Sequence, residues 1–433
     1  HSGDYGSRSV GIIASTHDDF YFGTYDDAGN MLTNPAAFME TDGAKKFLNF
    51  NEDGFAGIAE GGKYYTRDFD GKTAYRVIYR PNMIHPLVAF STTCVGYAVD
   101  FFDTTLGTPK PLPASDQIWP IKAVFNSLGV IGLLIFMVSF TLVLLDTPVF
   151  SALRSGEIVQ PAPVQDNGAK AWYWVLLIIG AVFSGASFLF CMNTVYSKTT
   201  NFFVQTGPLT IGTWAALCGV FAIFCSAVFY GAYGKKHGWS ARRAGLYLNL
   251  EQLWKTIALA VIVIVVSFGL VFAAHYFFQV DYRMYVVAFK TFGADKVLIA
   301  LRYLPFFLLF YVMNSISANC FNYNTIGGKN GNILIFAFFN ALGAIFVVAS
   351  QYIYFYATGY QLYGLTEGQR IGPIWLFPCM VLLFVTPIMS RIIYKRTRNP
   401  YIAGLINAMF IVMISCSNTT TILGGGELIA TTF

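Results

Sequence analysis

The sequence predicts a polytopic α-helical membrane protein of about eight transmembrane helices, preceded by a water-facing domain of roughly 115 residues. Three observations predict it. Only 12% of the 433 residues are charged and the mean hydropathy is +0.53, whereas a soluble domain carries about 25% charged residues. Fifteen of the 23 acidic residues lie before residue 117, and the other eight are scattered over the rest of the chain. Beyond that point, apolar runs of about 18 residues or more recur; a soluble core has no use for them and a bilayer requires them.

The runs place membrane spans at Ala123–Leu145, Ala171–Val195, Leu209–Tyr230, Ile257–Phe278, Val297–Ile316, Asn332–Tyr354, Ile371–Ile393 and Tyr401–Leu423. The last has the weakest signal, because Ser415 to Thr421 is polar. Trp119, Trp172, Trp174, Trp254 and Trp375 stand near span ends, as interfacial aromatic residues do. Lys and Arg in the connecting loops divide twelve to five between the two sides, with Lys235, Lys236, Arg242, Arg243 and Arg391 on the richer one. That bias puts the richer side in the cytoplasm and residues 1–115 outside it, in a multi-pass protein of the cell membrane. Within the spans, Arg302 and His275 stand close enough to an end to reach the interface by snorkelling.

The seven cysteines show no metal-type spacing and read as small apolar residues of a bundle. No cofactor motif occurs: Gly327-Gly328 and Gly424-Gly425-Gly426 read as loop punctuation. The N-terminal domain is acidic and has no basic patch interleaved with aromatic residues, which argues against nucleic acid as a partner. The lipid bilayer is the partner the composition implies. The chain opens at His1 in a turn-like stretch, which reads as a processed chain or a fragment.

In the N-terminal domain, Val10–Ser15 is a near-continuous apolar run that reads as a buried parallel strand. Thr16, His17, Asp18 and Asp19 come directly after it. A helix-like stretch occupies Ala44–Leu48, and Thr73–Tyr79 reads as a second strand. The loop Arg80–Ile84 leads to His85-Pro86. Ser91–Leu106 has helical periodicity, with Val95, Val99, Phe102 and Leu106 on one face. Gly107 suits its C-terminal cap, and Pro109, Pro111 and Pro113 make a linker over 109–122.

Strand, acid, insertion, strand, histidine, helix: this order resembles the last third of an α/β-hydrolase, close to dienelactone hydrolases and related peptidases. The resemblance covers about residues 8–108 and is carried by Val10–Asp19, His85-Pro86 and Val99-Asp100-Phe101-Phe102. It is most similar to bacterial membrane-bound members with a polytopic domain after the hydrolase. The resemblance implies a partial α/β-hydrolase domain at 1–108, with the membrane domain at 123–423. It implies Asp18 (or Asp19) as the acid and His85 as the general base of a serine hydrolase acting on an ester or peptide. The nucleophile motif G-x-S-x-G is absent, since Gly6-Ser7-Arg8-Ser9-Val10-Gly11 has the wrong spacing and precedes a strand. The resemblance therefore implies a nucleophile upstream of His1. No cofactor and no metal is expected. The competing expectation is a transporter or lipid-handling protein with a non-catalytic ectodomain, or a ligand-binding sensor.

Overall fold

A computed structural model describes residues 5–27, 31–108, 110, 112–164, 166–285, 287–364, 366–422 and 428–429. Pro109, Pro111, Leu423 and Gly424–Gly426 lie outside the described residues, as do His1–Asp4. The chain divides into two compact units, one of residues 1–122 and 348–374, the other of residues 123–347 and 375–433.

The first unit holds a three-stranded sheet. β1 (Val10–Ile13) and β2 (Tyr65–Phe69) flank β3 (Lys72–Tyr79). β1 runs parallel to β3, with Val10 opposite Arg76 and Ile13 opposite Tyr79, while β2 is antiparallel to β3. The β2–β3 turn is Asp70-Gly71, both residues with positive φ (52° and 82°), as a two-residue hairpin turn of this hand requires. α1 (Asp42–Leu48) starts at Thr41, whose hydroxyl accepts the Ala44 N–H. α2 (Thr92–Leu106) starts at Ser91, whose hydroxyl accepts the Cys94 N–H, and ends at Gly107 with φ 67°. Ala14, Phe38, Ala44, Phe47, Leu48 and Ile78 form the unit's apolar core. Arg76 is buried beside it, its guanidinium over the Tyr5, Phe47 and Phe50 rings and donating to the Gly6 carbonyl at 3.1 Å.

The apolar face of α2 stays largely in the open: Val99, Phe102 and Leu106 are 38%, 55% and 78% exposed. Three strands offer too little surface to cover both the sheet face and that stripe. Before the membrane helices, Gln117 ties the linker to α2. Its Nε2 donates to the carbonyls of Thr92 (2.8 Å) and Ala114 (2.7 Å).

Among the described residues, eight helices are long and apolar enough to cross a membrane. They are α3 (Trp119–Leu145), α4 (Asn167–Thr194), α5 (Thr206–Phe229), α6 (Leu250–Phe278), α7 (Ala294–Ile316), α8 (Gly328–Thr358), α9 (Glu367–Thr397) and α10 (Pro400–Ser417). α5 and α7 each continue into a π-helical turn, Tyr230–Gly234 and Ser317–Phe321. The helix with the weakest signal, α10, is the most enclosed, with 78% of its apolar window buried. A helix surrounded by protein carries polar residues that a lipid-facing one could not.

Within the second unit, loops gather in two groups, as alternate crossings require. On one side, the Ser155 N–H donates to Arg396 O (2.8 Å), Ala162 N–H to Tyr323 O (2.9 Å) and Trp239 Nε1 to Cys320 O (2.8 Å). On the other, Gln205 Nε2 donates to Thr419 O and Asn418 Nδ2 to Ala288 O, both at 2.8 Å. Arg302 turns back to donate to Phe202 O at 3.0 Å, as a snorkelling side chain does. Arg391, counted with the loops from sequence, is instead 2% exposed inside the bundle. Its guanidinium donates to Asn319 Oδ1 (2.9 Å), Asn332 Oδ1 (3.0 Å) and the Ala318 carbonyl, and lies 3.9 Å from the Tyr323 ring centroid.

Candidate functional site

β1 and β3 are parallel and in register, so both release the chain at the same edge of the sheet. The two emerging loops stay joined for several residues. The Ala14 N–H donates to Tyr79 O and the Thr16 N–H to Pro81 O, both at 2.9 Å. The Ser15 hydroxyl donates to Pro81 O at 3.2 Å and also to Met83 O. His17 and Ile84 close a parallel bridge. This extended pairing brings the next residue of each loop, Asp18 and His85, side by side.

His85 Nδ1 lies 2.9 Å from Asp18 Oδ2. The other oxygen, Oδ1, accepts the backbone N–H groups of Phe20 (3.0 Å) and Tyr21 (2.6 Å), so the carboxylate is held from both sides. Asp18 is 1% exposed. A carboxylate facing Nδ1 only accepts, so Nδ1 carries the ring proton and Nε2 keeps its lone pair. Nε2 has no hydrogen-bond partner among the described residues, and the His85 side chain is partly exposed. The hydrogen bond to Asp18 raises the imidazole above its ordinary pKa, against the opposing effect of burial. The Tyr21 ring stands edge-on to the imidazole, 5.1 Å away, and Phe20 lies at 6.1 Å.

Asp19, equally buried, does something different. Its Oδ1 accepts the backbone N–H of His85 at 3.0 Å and its Oδ2 the hydroxyl of Tyr352 at 2.7 Å. Its carbonyl accepts from Gln361 Nε2. Burial pushes its carboxyl up to about 6; the Tyr352 and backbone hydrogen bonds hold it back only in part. Asp19 thus positions the backbone at His85 while Asp18 meets the ring. His17 is turned away to stack on Tyr356, with centroids 4.5 Å apart, and stands edge-on to Phe355.

Sequence reasoning singled out Asp18, Asp19 and His85, and the fold brings all three together. It missed Tyr352 and Gln361, which lie more than 300 residues further along the chain but in the same compact unit. Tyr352 sits inside an apolar run, where nothing distinguishes it from a packing residue. The arrangement can accept a proton at Nε2 and stabilise the resulting imidazolium through Asp18. Among the described residues no hydroxyl or thiol donates to Nε2, and no group of His, Cys, Asp and Glu is arranged to hold a metal ion. No family model, curated protein or solved structure matches the chain.

Proposed function

We propose that this chain is the base-bearing, membrane-embedded portion of a serine hydrolase of the α/β-hydrolase type, acting on an ester or peptide outside the cytoplasm. In this reading Asp18 orients His85. His85 takes the proton of a serine supplied from outside residues 1–433 and returns it to the leaving group. One observation carries the reading: the 2.9 Å contact between Nδ1 and Oδ2 of residues that come after two adjacent parallel strands, acid first. A partly exposed ring with its Nε2 lone pair unengaged is the state a general base needs.

Two surfaces support the reading from outside the site. β1 is an edge strand of its sheet, and α2 exposes its apolar stripe. Further strands and helices of an α/β sheet cover such surfaces. The extracytoplasmic assignment of the first unit rests on the Lys and Arg bias of the loops.

The test is fluorophosphonate labelling of the natural gene product in native membranes. The reading expects a labelled serine outside residues 1–433, and labelling slowed roughly 10³-fold or more by His85→Ala. Residues 1–433 alone should remain unlabelled. A gene product that never labels would make the ectodomain non-catalytic, and His85→Ala reacting at the wild-type rate would remove the base assignment.

A further inference from the structure

The second unit holds a partly open cavity of about 600 Å³, within the range of sites that hold small ligands, about 300–1,000 Å³. It lies among α4, α5, α7, α8 and α9. One wall is a stripe of α5 at helical spacing, Ala215, Cys218, Ala222 and Cys225, facing Gly180 and Ser184 of α4. In a closed bundle such small residues let helices touch; here they border open volume. Trp214, Phe307 and Tyr311 line the deep end.

The other end is built differently. His237, Trp239, Arg243, Asn322 and Asn324 line it, all from loops on one side of the bundle. From Phe307 to Phe321 the cavity runs along α7 and its continuation for about 21 Å at 1.5 Å per residue. The two π-turns among the described residues, Tyr230–Gly234 and Ser317–Phe321, each contribute lining residues. Such turns concentrate at functional sites. Among the described residues, no Asp or Glu lines the cavity. Arg243 is exposed, and its guanidinium has no ion pair or hydrogen bond among the described residues.

We propose that this cavity binds a single-chain amphiphile with an anionic head. The head sits at Arg243, beside His237, and the chain runs inward toward Trp214, Phe307 and Tyr311. A planar guanidinium fork matches a carboxylate or a phosphate, and a lining without carboxylates disfavours a cationic head. The aromatic and small apolar walls suit an alkyl chain, not a polar solute. This inference goes beyond the hydrolase reading and does not depend on it.

The probe is palmitate carrying a diazirine near its chain end, added to the purified chain in neutral detergent. Photo-adducts should be saturable and should map to the deep lining, on residues 176–184, 211–222 and 307–311. Unlabelled palmitate or hexadecyl phosphate should compete; whichever does so at lower concentration identifies the head as carboxylate or phosphate. Hexadecanol should compete poorly. Arg243→Gln alters an exposed side chain and leaves the fold intact, and it should raise the half-competing concentration roughly tenfold. Adducts confined to outward-facing residues such as Phe190 and Phe224, equal competition by hexadecanol, or an unchanged Arg243→Gln would each overturn the proposal.

Discussion

Asp18 and Asp19 are neighbours with the same 1% exposure, and they differ in what their carboxylates hold. Asp18 spends one oxygen on two backbone N–H groups and the other on the His85 ring. Asp19 spends both on groups that anchor the loop, the His85 amide and the Tyr352 hydroxyl. The difference makes stability depend on pH. Burial raises the Asp19 carboxyl from its ordinary 3.8 to about 6, so ionising it in the fold costs about 3 kcal/mol. Between pH 4 and 6 the folded chain keeps a proton that the unfolded chain has lost, and stability falls as pH rises through that window. His85 acts in the same direction at higher pH. Its raised pKa contributes stability that is complete below 6.5 and is lost as pH climbs through the folded value. Thermal unfolding of Asp19→Asn in detergent should therefore show a flatter midpoint between pH 4 and 6 than the parent. An identical slope would mean that Asp19 is not held in the protonation state its burial dictates.

At the scale of elements, Arg391 does for the bundle what Asp19 does for the site. It joins α9 to α8 through Asn332, and to the turn after α7 through Asn319 and Ala318. Replacing it by Met leaves those acceptors buried without a donor, at a cost of about 3 kcal/mol or more. Arg391→Lys should recover less than half of that, because an ammonium has no planar fork to reach three acceptors. Thermal midpoints in detergent read both, and an Arg391→Met as stable as the parent would show the network to be dispensable. The sequence made some of these elements plain. Gly107 marks the C-terminal end of α2, since capping chemistry is local, while periodicity alone gives its start at Ser91. Thr73–Tyr79 is legible as a strand, whereas its hairpin partner β2 and the Asp70-Gly71 turn between them come only with the fold. The exposure of Val99, Phe102 and Leu106 was not legible, because periodicity says which face is apolar and not whether anything covers it. Nor was the cavity, since a small-residue stripe that borders open volume reads the same as one that packs.

Across the whole molecule, α3 to α8 are six helices long and apolar enough to cross, and six crossings would return the α8–α9 connection to the side of the residues before α3. The contacts of Tyr352 and Gln361 with Asp19 agree with that count. In the proposed reading that side is outside the cytoplasm, as the Lys and Arg bias of the loops expects, and an impermeant maleimide tests it. A cysteine at position 60 should label in intact cells and one at position 236 should not; the reverse pattern would invert the topology. The spans were legible because a bilayer imposes their length and composition on the chain. The acid–histidine order was legible because strand and loop are consecutive in sequence, whereas the partners of Asp19 come from a distant segment that only the fold brings close. The separate roles of the two adjacent acids are central to the proposed chemistry, and the rate of fluorophosphonate labelling of the natural gene product measures them. Asp18→Asn should slow labelling by roughly 10³-fold or more, through loss of the correct imidazole tautomer. Asp19→Asn should stay within a few-fold of the parent, because an amide can still accept the His85 N–H. If Asp18→Asn labels at the parent rate, or Asp19→Asn proves the more damaging, the assignment of Asp18 and His85 as the working couple is contradicted.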